Sequence, residues 1–221
     1  MQNLTLLIPT NKESESLPFF LNELKDYECK KLIVLQQEDT DTINSISKFD
    51  EIEILVQKNK GYGNALIEGI EKITTEYFCI INADGSMDPT YLNEMLKSCN
   101  NCDFVFASRY LRGGGSDDDD IITLFGNKLF SFLGNFLFKL NLSDILYTYI
   151  LGKTLSAKKL DLKYNDFRIC VEIPIKAKFK NFIYISVPSK ERKRIAGKKK
   201  VNAIKDGFLI LTALIFSFLK R

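Results

Sequence analysis

Ile80-Ile81-Asn82-Ala83-Asp84-Gly85 runs an apolar strand directly into a carboxylate and then into a glycine that turns the chain. A carboxylate at the C-terminal end of a buried strand suits a hard divalent cation. Mg²⁺ and Mn²⁺ take oxygen ligands from one or two carboxylates and leave room for substrate phosphates. The same residue type also caps tight turns, because Asp hydrogen-bonds its own backbone two residues on. Outward from this point, short β-branched or apolar runs alternate with amphipathic ones. Strands are expected at 4–8, 31–35, 52–56, 77–81 and 103–107. Helices are expected from Ser14 onward, where Leu17, Phe20, Leu21 and Leu24 fall at helical spacing, and at 43–49, 64–73 and 89–96, the last with Pro89 in a favoured first-turn position. Such alternation implies an α/β domain with a mostly parallel central sheet flanked by helices, and a ligand beyond the C-terminal strand ends.

The second half has a different texture. Gly113-Gly114-Gly115 and the acidic run Asp117, Asp118, Asp119, Asp120 read as a loop, and Phe125, Leu129, Phe132, Leu133, Phe136 and Leu137 then repeat at helical spacing over 124–140. A helix over 169–179, a strand over 182–187, a basic loop and a final helix over 201–220 follow. Residues 208–219 are an uncharged apolar run of twelve, short of the roughly 18–20 needed to cross a hydrocarbon core. The expected organisation is one domain over 1–200 and a C-terminal apolar helix over 201–221, either packed on the domain or lying in a membrane interface.

Of the 221 residues, 45% are hydrophobic and 27% charged, ordinary values that exclude a disordered or collagen-like chain. The net charge of +3 is too small to indicate nucleic acid as a partner. It is unevenly placed: from 190 to 200 seven of eleven residues are basic, against Glu191 alone, which makes a patch suited to phosphates or a membrane surface. Histidine is absent, so Ser-His-Asp, Cys-His and His-zinc chemistry are excluded. Five cysteines, an odd number at irregular spacing, and an N-terminus without a leader pattern point to a reducing, cytoplasmic compartment. The lone Cys99-Asn100-Asn101-Cys102 pair reads as incidental.

Three further segments stand at strand exits. Pro9-Thr10-Asn11-Lys12-Glu13 puts a lysine and a carboxylate on the same edge as Asp84. Lys60-Gly61-Tyr62-Gly63-Asn64-Ala65 leads a glycine pair into a helix, whose N–H groups and dipole can receive an anion or let a nucleotide approach the backbone. It is not a dinucleotide fingerprint, because the third glycine is missing. Ala107-Ser108-Arg109-Tyr110 places an arginine at the end of the fifth strand. With these pieces in order, the chain resembles a family 2 glycosyltransferase of the GT-A fold. Within that family it is similar to the dolichol-phosphate mannose synthase and polyprenyl-phosphate glycosyltransferase branch. The segment at 9–13 stands where that family has P-T-Y-N-E, the segment at 61–65 where it has G-x-G-x-A, and Asn82-Ala83-Asp84 where it has the metal-binding D-A-D. Ala107-Ser108-Arg109-Tyr110 corresponds to G-S-R-Y, and Ser143-Asp144 to the start of the acceptor-side motif. Val187-Pro188 with Arg194-Ile195-Ala196-Gly197-Lys198-Lys199-Lys200 corresponds to V-P and R-x-x-G-x-S-K.

The resemblance implies a nucleotide-sugar donor held by Pro9, Thr10, Glu13, Gly61, Gly63 and Ala83. It implies Mg²⁺ or Mn²⁺ on Asp84 and Asn82, phosphates facing Arg109, Arg194 and Lys200, and Gln37 near the base or ribose. Two departures stand out: Gln36-Gln37 replaces the family's paired aspartates and Asn82 its first metal aspartate. Amides keep an oxygen donor but lose the charge that strengthens cation binding. The implied reaction is inverting transfer to a lipid-phosphate or cell-envelope glycan acceptor, at the inner face of the membrane. A lipid phosphate, with its second pKa near 6, arrives ionised and needs no general base. A sugar hydroxyl needs one, and Asp144 and Glu172 are the candidates. The alternative is a catalytically impaired relative that binds nucleotide sugar without turnover.

Overall fold

A computed structural model describes residues 1–197 and 200–220. Lys198, Lys199 and Arg221, part of the expected basic loop and of the tail, lie outside the described residues. The chain enters through β1 (Leu4–Pro9), α1 (Leu17–Glu23), β2 (Lys30–Leu35), α2 (Thr40–Ser45), β3 (Ile52–Val56), α3 (Tyr62–Lys72) and β4 (Tyr77–Ile80). Every residue of β1 is buried, as expected for a strand covered on both faces by helices. Leu4, Leu6 and Ile8 pack with Phe20 and Leu24 on one side, and Leu7 packs with Leu66 and Ile70 of α3 on the other. β1 pairs in parallel with β2 and β4, and β2 with β3.

A 3₁₀ turn, Pro89–Tyr91, precedes α4 (Leu92–Cys99), so the helix expected at 89–96 is split: Asp88 accepts the Thr90 N–H at 2.9 Å and tightens the first turn. β5 (Phe104–Ser108) follows, then a short β6 (Gly115–Ser116) and α5 (Ile121–Phe138). The next strand is a departure from the sequence reading. β7 (Ile150–Lys153) lies antiparallel between β4 and β5, pairing Phe78 and Phe104 with Gly152. Its signal, Tyr147-Thr148-Tyr149-Ile150-Leu151, is aromatic and β-branched, but strict alternation of strands and helices leaves no place for it. After α6 (Thr154–Lys158) and α7 (Ile169–Phe179), β8 (Tyr184–Pro188) pairs in parallel with β5, β9 (Lys190–Glu191) pairs with β6, and α8 (Ala203–Leu219) ends the chain. The sheet order is β3-β2-β1-β4-β7-β5-β8.

α8 is joined to the domain: Ile210, Ala213 and Leu214 belong to the same apolar cluster as α3 and α7. α5 and α8 run side by side, with Phe138 and Phe218 in edge contact at 6.2 Å.

Candidate functional site

A cleft of about 590 Å³ opens beyond the C-terminal ends of β1, β4 and β5. Its floor is set by two turns. After β1, Lys12 N–H donates to Asp39 Oδ2 at 2.6 Å and Glu13 N–H to Thr42 Oγ1 at 3.0 Å, so α2 fixes the loop that presents Glu13. The Glu13 carboxylate accepts from Ser16 Oγ at 2.7 Å and lies 3.5 Å from Lys200 Nζ. Burial pushes its pKa up, against the pull of Ser16 and Lys200, and the Asp84 charge adds to the rise.

After β4, Gly85 turns the chain at φ +72°. Asp84 Oδ1 accepts from Ser86 N–H at 3.0 Å and Ser86 Oγ at 2.8 Å, while Oδ2 faces Arg194 Nη1 at 3.5 Å. The two readings of this residue thus coexist: one oxygen caps the turn and the other faces the cleft. Residues 192–195 strap the turn from above. Arg192 N–H donates to the Ser86 carbonyl and Ile195 N–H to the Asp84 carbonyl, each at 2.8 Å. The Arg192 guanidinium holds the Gly85 carbonyl and pairs with Glu23 at 2.7 Å.

Arg109 leaves β5 into a cage of carboxylates. Nε and Nη2 donate to the two oxygens of Asp144 at 2.7 and 3.0 Å, and Nη1 reaches Glu191 at 3.1 Å and Asp119 at 3.4 Å. The guanidinium also stacks over Tyr147, 4.5 Å from the ring centre. Burial works against its charge, but Asp144 and Glu191 outweigh burial and hold it protonated. Arg109 lines the cleft, yet its donors are occupied by protein carboxylates.

The remaining expected residues divide cleanly. Pro9, Thr10, Glu13, Gly61, Asn82, Ala83, Asp84, Arg109, Arg194 and Lys200 all line the cleft. Gln37 does not: it is exposed beyond β2, and Gln36 is the amide at the wall. Gly63 does not either. It lies under the 164–166 loop, where an added Cβ would meet the Tyr164 carbonyl at 2.1 Å, and both Gly63 and Asn64 N–H donate to the Asn165 carbonyl at 3.0 and 3.3 Å. Those N–H groups were expected to receive an anion; the protein's own backbone takes them. Asp144 is fully buried, with both oxygens on Arg109. Glu172 is buried on α7, accepting from the Lys163 and Tyr164 N–H groups at 2.9 Å and pairing with Lys176 at 2.8 Å. Both carboxylates are committed to holding structure: Asp144 positions Arg109, and Glu172 braces the loop whose Asp166 and Phe167 form a cleft wall.

Two residues of the acidic run, read only as a loop, line the cleft: Asp118 and Asp119. Asp118 pairs with Arg194 at 2.7 Å, Asp119 accepts from Tyr110 Oη at 2.7 Å, Asp117 pairs with Lys190 at 3.1 Å, and Asp120 caps α5 through Thr123 N–H at 2.7 Å. Asp117 and Asp118 thus meet Lys190 and Arg194 of the basic run beside the β6–β9 pair, a contact that the sequence reading did not anticipate.

The model of glycosyl transferase family 2 matches residues 5–161, a span that holds Asp84, Arg109 and Asp144 and stops before Arg194. Glycosyltransferase AglJ of Haloferax volcanii is 23% identical over 214 residues, 95% of this chain and 70% of that one. An uncharacterised glycosyltransferase of Mycobacterium tuberculosis is 31% identical over 84 residues, so this chain spans 38% of that relative's length, with 38% of its own. Among solved structures, glucosyl-3-phosphoglycerate synthase from Mycobacterium tuberculosis in complex with Mn²⁺, UDP and glucosyl-3-phosphoglycerate matches with a TM-score of 0.74 at 11% identity, covering 98% of this chain and 80% of that one. The same synthase with Mg²⁺ and UDP gives 0.69 at 11% identity, with 98% and 79% covered. At that identity the likeness shows the fold: the α/β architecture expected from the alternation of strands and helices, in the GT-A form that the family resemblance implies. With more than half its length matched by the family model, the chain belongs to glycosyl transferase family 2.

Proposed function

We propose that this protein is an inverting, metal-assisted glycosyltransferase. It moves a sugar from a nucleoside-diphosphate donor to a lipid-phosphate or cell-envelope glycan acceptor at the cytoplasmic face of a membrane, as in the dolichol-phosphate mannose synthase and polyprenyl-phosphate branch. The observation that carries this reading is Asp84, which points one carboxylate oxygen into a cleft where Arg194 and Lys200 supply positive charge. All five cysteines are free, in keeping with a reducing compartment.

The donor set decides what kind of metal site this is. Among the described residues no three His, Cys, Asp or Glu side chains cluster as a metal cage. Asp84 Oδ2, with the Asn82 amide on the same cleft wall, fits a hard cation that arrives with a diphosphate and takes its other oxygens from phosphate and water. Bound there, such a cation neutralises charge on the departing diphosphate. The chain's own part is electrostatic and positional: Arg194 and Lys200 meet phosphate oxygens, and Pro9, Thr10 and Gln36 wall the nucleoside end.

The commitments of Asp144 and Glu172 favour a phosphate over a hydroxyl as the attacking group. An ionised phosphate needs no proton removed, and neither carboxylate has an oxygen turned to the cleft.

A second reading, a relative that binds nucleotide sugar without turnover, draws on Asn82 and Gln36 standing where carboxylates were expected. One experiment separates the two. Nucleotide sugars are screened for thermal stabilisation in Mn²⁺, and the best binder is then supplied radiolabelled with membrane lipid. Transfer of label to lipid, lost in Asp84→Ala, supports the enzyme. Stabilisation without transfer from any donor supports the binding protein, and no stabilisation by any nucleotide overturns both.

A further inference from the structure

The outer faces of α5 and α8, as well as their inner faces, are rich in large apolar side chains, unlike helices on a water-facing surface. α5 turns Asn127, Ser131, Gly134 and Phe138 inward, yet leaves Ile121 at 85%, Phe125 at 70% and Phe136 at 73% exposure. α8 buries Asp206, Ile210, Ala213 and Leu214 and exposes Phe208 at 67% and Phe216 at 57%. Most exposed large apolar side chains of the described residues lie on these two helices. Isolated monomers rarely carry a contiguous apolar patch this extensive without a partner for it.

The orientation of α5 is pinned by polar contacts on its inner side: Asn127 Nδ2 donates to Tyr110 Oη at 2.9 Å, and Ser131 Oγ accepts from Ile145 N–H at 3.2 Å. α8 is held by Ile210, Ala213 and Leu214 in the apolar core. α5 cannot roll its outer side inward without breaking its contacts, nor α8 without lifting those three side chains out of the core. The same contacts argue against crossing a bilayer. α5 is long and apolar enough to span one, but it is held along the domain beside α7 and α8.

Charge selects the occupant. α5 contains no carboxylate and one lysine, Lys128, and is flanked by exposed Asp120 and Lys139; α8 adds exposed Lys205 at its start, with exposed Lys220 just past its end, while its one acid, Asp206, is buried. The exposed charge on and beside the two described helices is therefore four lysines against Asp120, which is engaged in capping α5. Pairing two copies would bring predominantly basic rims together, whereas anionic headgroups complement them. The face is also continuous with the site, since Thr123 and Asn127 of α5 and Ile210 of α8 line the cleft.

We propose that the α5–α8 face is a monotopic docking surface for an anionic phospholipid bilayer. Its aromatic and aliphatic side chains sink among the acyl chains, its lysines sit at the headgroups, and the cleft mouth opens at headgroup level. Docking stands on the surface itself, independent of the transfer reaction proposed above.

The protein contains no tryptophan, so Phe125→Trp or Phe208→Trp introduces a single indole reporter on the full chain. With vesicles of phosphatidylcholine and phosphatidylglycerol, the emission should shift to the blue and be quenched by acyl-brominated lipid, and Phe132→Asp/Phe216→Asp should lower partitioning by about tenfold or more. Both of those side chains are exposed, so the melting curve should stay as in the parent, and the Trp variants carry the test if it does not. Binding should weaken in pure phosphatidylcholine and as salt rises. Vesicle binding without nucleotide-sugar binding would uphold the docking surface and fell the enzymatic reading. No quenching, equal binding to neutral vesicles, or a lipid-free dimer that buries the indole would overturn the docking surface.

Discussion

Arg194 Nη1 stands 3.5 Å from Asp84 Oδ2 while its Nη2 stands 2.7 Å from Asp118, so one guanidinium bridges the strand-end carboxylate and the acidic run. A cation bound with a diphosphate would offer each partner a replacement: positive charge for Asp84 and phosphate oxygens for Arg194. Either half alone leaves one group of the pair without compensation. Metal and nucleoside diphosphate are therefore expected to bind cooperatively. In Arg194→Ala, UDP or GDP affinity should fall by about tenfold or more, the equivalent of one charge-assisted hydrogen bond. The same variant should take Mn²⁺ alone more tightly than the parent. Calorimetric titration of each ligand with and without the other checks this, and tighter diphosphate binding in the variant would sink it.

Asp144 and Arg109 make a buried pair whose disruption should register as instability. Removing Asp144 strands a guanidinium that retains Glu191 and a more distant Asp119. Asp144→Ala should cost about 3–5 kcal/mol, as for other broken buried pairs, whereas Arg109→Met/Asp144→Leu should recover little of it, because Glu191 and Asp119 then lose their cation. Urea denaturation of the two variants decides it. If Asp144→Ala keeps parental stability while losing transfer, the carboxylate acts on substrate and not through Arg109.

The parallel half of the sheet was legible because buried strands leave continuous apolar runs. Leu4-Thr5-Leu6-Leu7-Ile8 and Tyr77-Phe78-Cys79-Ile80 were located to within a residue of their observed bounds. β7 was missed because an antiparallel strand inserted between two parallel ones is a property of topology, not of composition. The position of Asp84 just beyond β4, on the cleft wall, was legible from the apolar run before it. For Gly63 and Asp144, partners distant in sequence decide what the groups do: the Tyr164 and Asn165 carbonyls and the Arg109 fork lie far from them along the chain. Glu172 is taken up by neighbours, the Lys163 and Tyr164 N–H groups and Lys176, that only the fold of the loop before α7 brings to it. The helical period of α5 was likewise read correctly, while which side faces water depends on packing against α7 and α8.

Glu191 should leave a pH signature. Burial raises its pKa above the ordinary 4.5, against the pull of Arg109 and of the Ser116 hydroxyl, with Asp119 adding to the rise. A raised folded-state pKa means that the folded protein holds this proton more tightly than the unfolded chain. Its contribution to stability is thus fully present below 4.5 and is lost as pH climbs through the folded-state value. Glu191→Gln does not titrate and keeps an oxygen for Ser116. The variant's stability relative to the parent should therefore increase as pH rises from 4.5, then level off. Unfolding curves from pH 4 to 8 measure the difference, and a difference that shrinks with rising pH would reverse the sign argued here.

Gly63 tests whether the glycine pair serves the ligand or the fold. An added Cβ would stand 2.1 Å from the Tyr164 carbonyl oxygen and 2.7 Å from the Asn165 carbonyl carbon, backbone atoms that cannot turn aside as a side chain could. The 164–166 loop must therefore move, and with it Asp166 and Phe167, whose ring stacks on Tyr62 at 5.0 Å. Gly63→Ala should destabilise the protein by about 1–3 kcal/mol, the range for overpacking. Donor affinity should fall as well, through the displaced wall and not through a lost phosphate contact. Comparing uridine or guanosine with its diphosphate separates these causes. A displaced wall weakens nucleoside and diphosphate alike, whereas a disturbed anion site weakens the diphosphate alone. A variant of parental stability that loses only diphosphate affinity would return Gly63 to the phosphate site.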